Sequence, residues 1–336
     1  MKYLMSILLS IGLAGAAGAA LADSPILIRF SHVVAPDAPK GKAAEFFARR
    51  AEVLTGGRVR VEVYANSTLY ADREEMEALQ LGAVQMLAPS LAKFSVLGAS
   101  AFELFDLPYI FEDRHALRAV TEGEIGERLL RMLEPRGIKG LAFWDNGFKS
   151  LSANTPIRRP EDLAGKRMRI QSSRVIEEQM LALGAVPHMM AFSDVYEALR
   201  VGVVDGTENP HSNLYTQRMH EVQRYLTLTE HGYLGYAVIV NKRFWDSLPR
   251  GVRRQLERAM REATNYANQI AREENQAALA AIRAAGTTEV IELTPEERAA
   301  FRRALLPVHR SAASRIGEEL LRDVYRATGF VPDGGG

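Results

Sequence analysis

The sequence predicts an α/β protein of two lobes with mixed sheets, a ligand cleft between the lobes and a long helix bridging both. Three observations carry that expectation. Strand-like and helix-like patterns alternate through Lys166–Pro210, the arrangement that builds layered α/β folds. A chain of 336 residues is long enough for two separate cores. From Pro249 to Ala285 the apolar residues Val252, Leu256, Met260, Ala263, Ala267, Ile270 and Leu279 recur at helical spacing. A helix of that length spans about 55 Å, more than one small lobe.

The first residues read as a leader. Lys2 is followed by an apolar run (Ile7, Leu8, Leu9, Leu13) and by small residues ending Ala20-Leu21-Ala22, the pattern of a cleavable secretory signal over residues 1–22. That predicts an exported protein. The chain has 42 basic and 41 acidic residues, and Lys2 accounts for the excess. So even a balance argues against nucleic acid as partner, while leaving room for a small anion held by clustered cations. There is no cysteine, so neither a disulfide nor a thiolate can contribute.

Ile26–Val33 alternates as a first strand, and a helix follows to Leu54, closed by Gly56-Gly57. Asp37 reads as its N-cap, which puts Lys40 and Lys42 in the first turns, the unfavourable end of the helix dipole for a cation. Either the two lysines mark an anion site, or they are exposed and tolerate a small penalty. Arg58–Ala65 is a second strand with Val59, Val61 and Val63 inward. Asn66–Tyr70 is a loop, and Asp72 with Glu75 has capping-box spacing before the next helix. The segment from Ala88 to Tyr109, with Phe94, Phe102 and Phe105, reads as core. Gly137–Trp144 is a strand, and Asn146-Gly147 supplies turn chemistry where the chain crosses to the second lobe.

In the stretch from Lys166 to Pro210, a strand over Lys166–Gln171 sets Met168 and Ile170 on one face and Arg167, Arg169 and Gln171 on the other. Ser173 and Ser193 stand as N-caps of two helices. DGTENP makes a tight return. An arginine ending a parallel strand arrives at the crevice where α/β proteins hold ligands, although a solvated basic strand face explains Arg169 equally simply. Farther on, Gly235–Asn241 is a strand returning to the first lobe, and Thr294-Pro295-Glu296-Glu297 opens a helix with a full capping box. The first lobe then comprises residues 23–146 and 234–266, the second 147–233 and 267–330, with 331–336 a flexible tail.

No G-x-S-x-G, H-E-x-x-H, G-x-x-x-x-G-K-[ST] or G-x-G-x-x-G occurs. The seven histidines have no metal-ligand spacing, and His211 and His220 read as surface residues. No cofactor, metal or catalytic residue is predicted.

Three segments carry a resemblance: MRIQSS, MAFSDVYEALRVGVVDGTENP and HEVQRYLTLTEHGYLGYAVIVNKRFW. They resemble the DctP type of substrate-binding protein of TRAP (tripartite ATP-independent periplasmic) transporters, over about Phe30–Asp323. The resemblance implies the two-lobed periplasmic binding protein fold, a monomer, and a C4-dicarboxylate ligand delivered to the small and large integral membrane subunits. It also implies site roles. Arg169 would form the salt bridge to the ligand carboxylate, where a planar fork suits a bidentate contact. Asn209 would donate to the same carboxylate, and Glu208 would buttress the arginine. Lys149, an arginine in some branches of the family, would reach the carboxylate end, and Lys40 would face the ligand. Phe192 lies within the second motif, and Asn213 extends the cleft wall. The Asn66–Tyr70 loop would lie along the cleft, where Asn66 or Thr68 touches ligand or simply turns the chain. An exported enzyme on small acids and a sensory version of the same fold are the competing readings.

Overall fold

The computed structural model describes residues 24–332, so the leader and the last four residues of the tail lie outside the described residues. Nine strands run in chain order: β1 Ile26–Ser31, β2 Val59–Tyr64, β3 Met86–Leu87, β4 Ile138–Ala153, β5 Arg167–Ile170, β6 Val186–Met189, β7 Gly206–Asn209, β8 Tyr225–Asn241 and β9 Glu289–Glu292. The helices are α1 Pro39–Thr55, α2 Glu75–Leu81, α3 Arg114–Thr121, α4 Glu124–Arg131, α5 Arg174–Ala182, α6 Val195–Arg200, α7 His211–Thr216, α8 Lys242–Ser247, α9 Arg250–Ala285, α10 Pro295–Leu305, α11 Pro307–Ile316 and α12 Glu318–Thr328. Among the described residues no helix is long and apolar enough to cross a membrane.

The strands form one mixed sheet, ordered β2-β1-β3-β8-β4-β7-β5-β6, with β9 also on β8. β1 is parallel to β2 and β3, and β5 is parallel to β6 and β7. The antiparallel pair β4–β8 joins the two groups. These are the longest strands, 16 and 17 residues. One end of β8 pairs β3, while the far ends of β4 and β8 pair β7 and β9. The crossing expected as a turn at Asn146-Gly147 is therefore unbroken strand. The two residues sit at a register shift between Asp145 and Gly147, where the Asn146 carbonyl accepts from the Asn275 side chain of α9. DGTENP likewise makes a strand, with Gly206–Asn209 inserted between β4 and β5.

Four clusters of buried side chains fill the molecule. Ile28, Phe30, Phe47 and Trp144 pack with Val252, Leu256, Met260 and Ala267 of α9. Phe94, Phe102, Phe105 and Phe143 form the aromatic core. Met168, Ile170, Ile176 and Phe301 form a third cluster, and Phe192, Val195, Leu199 and Leu214 a fourth that includes Ile282 of α9. α9 thus contributes side chains at both ends of the molecule, as its length requires. Burying each such large apolar side chain stabilises by about 1.5–3 kcal/mol. The C-terminal helices α11 and α12, which the sequence assigns to the second lobe, bury Val308, Ala312, Leu321 and Val324 in the aromatic cluster of the first.

Local signals fare unequally. Ser173 caps α5 by accepting from Ile176 N–H, and Thr294–Glu297 forms its capping box. Gly56 closes α1 in the left-handed conformation at φ 61°. Asp37 does not cap α1; Ala38 stands there without a side-chain bond, and Pro39 starts the helix. Proline at the first helical position needs no N–H partner, which makes a capping carboxylate dispensable. Ser193 bonds Asp194 rather than a helix N–H. Val59 is buried, whereas Val61 and Val63 are only partly covered on edge strand β2. His220 is buried and stacks on Tyr215, and His211 is half-buried against Ser150, so neither is a surface residue.

Candidate functional site

The carboxyl ends of β5 and β7 and the start of α1 meet the Asn66–Glu74 loop and the Ala88–Lys93 segment around two small adjoining cavities. One of about 110 Å³ is lined by Arg169, Gln171, Met190, Asp72 and Lys93 among others. The other, about 20 Å³, is lined by Lys40, Asn209, Asn213, Tyr236, Phe192, and again by Asp72 and Lys93. A larger groove of about 1040 Å³ lies elsewhere, beside Tyr109, Phe148, Arg302 and Phe330. The small pair is the candidate site, because three nearly fully buried cations converge there: Lys40, Lys93 and Arg169.

Arg169 is 2% exposed. Its Nε and one Nη donate to the Met190 carbonyl at 3.1 and 2.8 Å, and its guanidinium lies 5.6 Å from the Phe192 ring centre. Two of its five N–H groups are thereby used, and the residue lines the 110 Å³ cavity. Burial lowers its pKa, while Asp72, Glu208 and Asp194 counteract that.

Lys40, also 2% exposed, donates to the Ala88 carbonyl at 2.9 Å and stands 3.9 Å from the centre of the Tyr236 ring. Gly41 lets α1 start so close to the preceding loop: a Cβ there would meet the Ala35 and Pro36 carbonyl oxygens at 2.5 Å. Among the described residues no carboxylate is within ion-pair distance of Lys40. Burial first, and the Lys93 charge second, bring its pKa down to about 7. Lys42 on the same turn instead points out to Glu274 at 2.6 Å. The two lysines the sequence treats alike thus part company.

Asn209 and Asn213 belong to an amide network. Asn213 donates to Asn209 at 3.3 Å and accepts from Asn146 at 3.0 Å, and Asn146 also donates to the Tyr236 hydroxyl at 2.7 Å. Fixed in this way, the Asn209 and Asn213 amides are oriented at the cavity edge without needing a charge.

Lys149 and Glu208 line neither cavity. Strand alternation accounts for Glu208. Arg169 pairs with Thr207 in register, so Thr207 and Asn209 share its face of the sheet and Glu208 projects from the other. There Glu208 accepts from Lys149 Nζ at 2.6 Å and bonds His231 Nε2 at 2.8 Å, with Thr229 holding the other ring nitrogen. Glu208 therefore makes no hydrogen bond to Arg169 and can support it only through its charge, which favours the protonated guanidinium, and Lys149 is already paired behind the cleft wall. Burial would raise the Glu208 pKa, but the Lys149 charge and the His231 bond outweigh it and hold it at about 2. Gly232 faces Lys149 across the β4–β8 ladder, and a Cβ there would fall 2.9 Å from the lysine Cε.

Two residues the sequence reading missed are central. Asp72 is not a helix cap: Glu74 precedes α2, and Asp72 instead ion-pairs with Lys93 and accepts from Phe192 N–H at 2.5 Å. Lys93 also donates to the buried Glu75 at 2.6 Å. Burial opposes the Lys93 charge, yet Glu75 and Asp72 raise its pKa overall. A signal existed, since a lysine inside the apolar Ala88–Tyr109 run requires buried partners. Neither Asn66 nor Thr68 lines a cavity; Thr68 donates within its own turn to Ala65, and Asn66 accepts weakly from Gln217 at 3.4 Å. Among the described residues no group of three or more His, Asp or Glu is disposed to hold a metal ion.

The family described as bacterial extracellular solute-binding protein, family 7 (DctP) matches residues 30–315. The chain belongs to the DctP family. It is 64% identical over 309 residues to the C4-dicarboxylate-binding periplasmic protein DctP of Rhodobacter capsulatus, covering 92% of each chain. A TRAP periplasmic solute binding protein of Sulfurospirillum deleyianum with bound succinate is 45% identical, with a TM-score of 0.88 over 90% of this chain and 99% of that one. Another from Pseudomonas aeruginosa, with bound L-malate, is 42% identical, with a TM-score of 0.83 over 85% and 100%. The two-lobed fold of these TRAP periplasmic solute binding proteins is therefore the fold of this chain.

Proposed function

We propose that this chain is the periplasmic solute-binding protein of a TRAP transporter, capturing a C4-dicarboxylate such as malate, succinate or fumarate and delivering it to the small and large membrane subunits. The observation that carries the reading is Lys40, a buried lysine whose direct contacts are a carbonyl and a ring and which no carboxylate of the described residues approaches to ion-pair distance, Asp72 and Glu75 acting on it only from farther off. Such a group is poorly stabilised until an anion joins it. With Arg169 on the neighbouring cavity, two separate cationic ends suit a ligand with a carboxylate at each end. Asn209 and Asn213 supply neutral hydrogen bonds on the Lys40 side, and Phe192 an apolar wall beside the arginine. Lys149 and Glu208 support this wall from behind through their mutual pair. The relatives that bind succinate and L-malate favour the same ligand class.

In this reading the chain acts by binding and release, without catalysis, after export to the periplasm. The lobes follow the expected division, residues 23–146 with 234–266 and residues 147–233 with 267–305, except that α11 and α12 go with the first lobe, in whose aromatic cluster they are buried; they close on the ligand in the manner of hinged binding proteins. Calorimetry with succinate, its monoamide and butyrate tests it. Succinate should bind far more tightly than either; equal affinity for succinate and butyrate would refute the dicarboxylate assignment.

A further inference from the structure

We propose that Asp72 determines specificity in this cleft: a fixed carboxylate between its two cationic ends, admitting a dicarboxylate with an uncharged middle and excluding one with a third negative group. The proposal rests on the dicarboxylate reading above. Asp72 is the acidic side chain that lines both cavities, with Arg169 bordering one and Lys40 the other. A ligand reaching from Arg169 to Lys40 must pass its carboxylate with whatever substituents its central carbons carry.

The carboxylate is held from two directions. One oxygen is ion-paired to Lys93, which a second buried acid, Glu75, fixes in turn. The other accepts from the backbone N–H of Phe192, in the strip whose Met190 carbonyl receives Arg169. Swinging Asp72 aside to admit a negative substituent would break both contacts and strand the Lys93 charge. Burial would push its pKa up, but Lys93, the Phe192 N–H and Arg169 together keep it low, so the group is ionised at neutral pH.

Charge balance points the same way. Lys40, Lys93 and Arg169 are opposed by Asp72 and Glu75, a net of one positive charge, so a dicarboxylate already uses up the local surplus and a third negative group would deepen the excess. Discrimination by a repulsive element of this kind is how a site rejects a ligand that shares its attractive contacts.

The test compares two C2-substituted succinates that differ in the charge of the substituent, methylsuccinate and carboxysuccinate (ethane-1,1,2-tricarboxylate), by calorimetry on the full chain, with the Asp72 variants separating charge from size. A like charge a few ångströms away in partly dry protein is worth roughly one to two powers of ten in affinity. The wild type should therefore bind methylsuccinate at least about tenfold more tightly. Asp72→Asn should narrow that gap about tenfold, and Asp72→Glu should keep it. Asp72→Ser serves the same purpose if the Asn variant melts early. Equal affinity for the two ligands in the wild type overturns the proposal without any variant. A gap that persists in both Asp72→Asn and Asp72→Ser assigns the exclusion to shape and also overturns it. Failure of the wild type to bind succinate at all would instead remove the dicarboxylate reading, and this inference with it.

Discussion

Lys149 donates to Glu208 at 2.6 Å, with both side chains within about 2% of complete burial. Removing one partner of such a pair leaves the other as an uncompensated charge in a dry setting, at a typical loss of about 3–5 kcal/mol. Lys149→Met and Glu208→Gln should each destabilise by roughly that amount in denaturant unfolding. The double variant should lose much less than the two losses combined. Strict additivity would mean that the pair is not coupled.

Acid should find the same pair. The Glu208 carboxyl is held at about 2, below its ordinary 4.5. The unfolded chain takes up that proton first, so the stabilisation is present above about 4.5 and is lost as pH falls towards 2. The stability advantage of the wild type over Glu208→Gln, followed by chemical unfolding from pH 6 downwards, should shrink through that window. An advantage that grew on acidification would contradict the assignment.

Lys40 titrates with the same sign but in an alkaline window. Its folded pKa of about 7 lies below the ordinary 10.5, so between these values the unfolded chain carries a proton that the folded chain has released. Stability from this group therefore rises with pH across that window, by up to about 1.4 kcal/mol per unit. Relative to Lys40→Met, the ligand-free wild type should gain stability from pH 7 to 9.5. A bound carboxylate favours the charged lysine, so succinate binding near pH 8 should take up a proton, readable as a buffer-dependent binding enthalpy. Binding enthalpies that do not depend on the buffer would place the carboxylate away from Lys40.

Arg169→Lys should prove far from conservative. A single ammonium cannot both satisfy the Met190 carbonyl, which now receives two guanidinium nitrogens, and reach into the cavity. Loss of one charge-assisted bond corresponds to about 1.5–3 kcal/mol, or roughly ten- to a hundredfold in succinate affinity. Wild-type affinity in a folded variant would take Arg169 out of the site.

These residues also mark what was legible in the sequence. A strand end and a helix start made Arg169 and Lys40 legible as candidates, but it was the family resemblance that favoured them, and that alone proposed Asn209; the long period of α9 announced a helix reaching both lobes. The face of Glu208 was not legible, because it depends on the register of β7 against β4 and β5, strands distant in sequence. Asp72 misled for a related reason. Its spacing from Glu75 imitates a capping box, and only the tertiary approach of Lys93 and Phe192 reveals what the carboxylate does. Asn146-Gly147 carries turn chemistry, yet it is held extended by the β8 ladder and by Asn275.

The unbroken passage of β4 and β8 through the middle of the molecule has a mechanical consequence. Two paired strands cannot swivel like a loop; they can only flex and twist together, most readily at the register shifts near Gly140, Asp145 and Lys149 where the ladder is already interrupted. The joint between the lobes then behaves as a flat spring, compliant about one axis and stiff about the others. Each excursion would follow nearly the same arc, and the bent ladder would supply a restoring force, so the opposing groups would come back into alignment without a search.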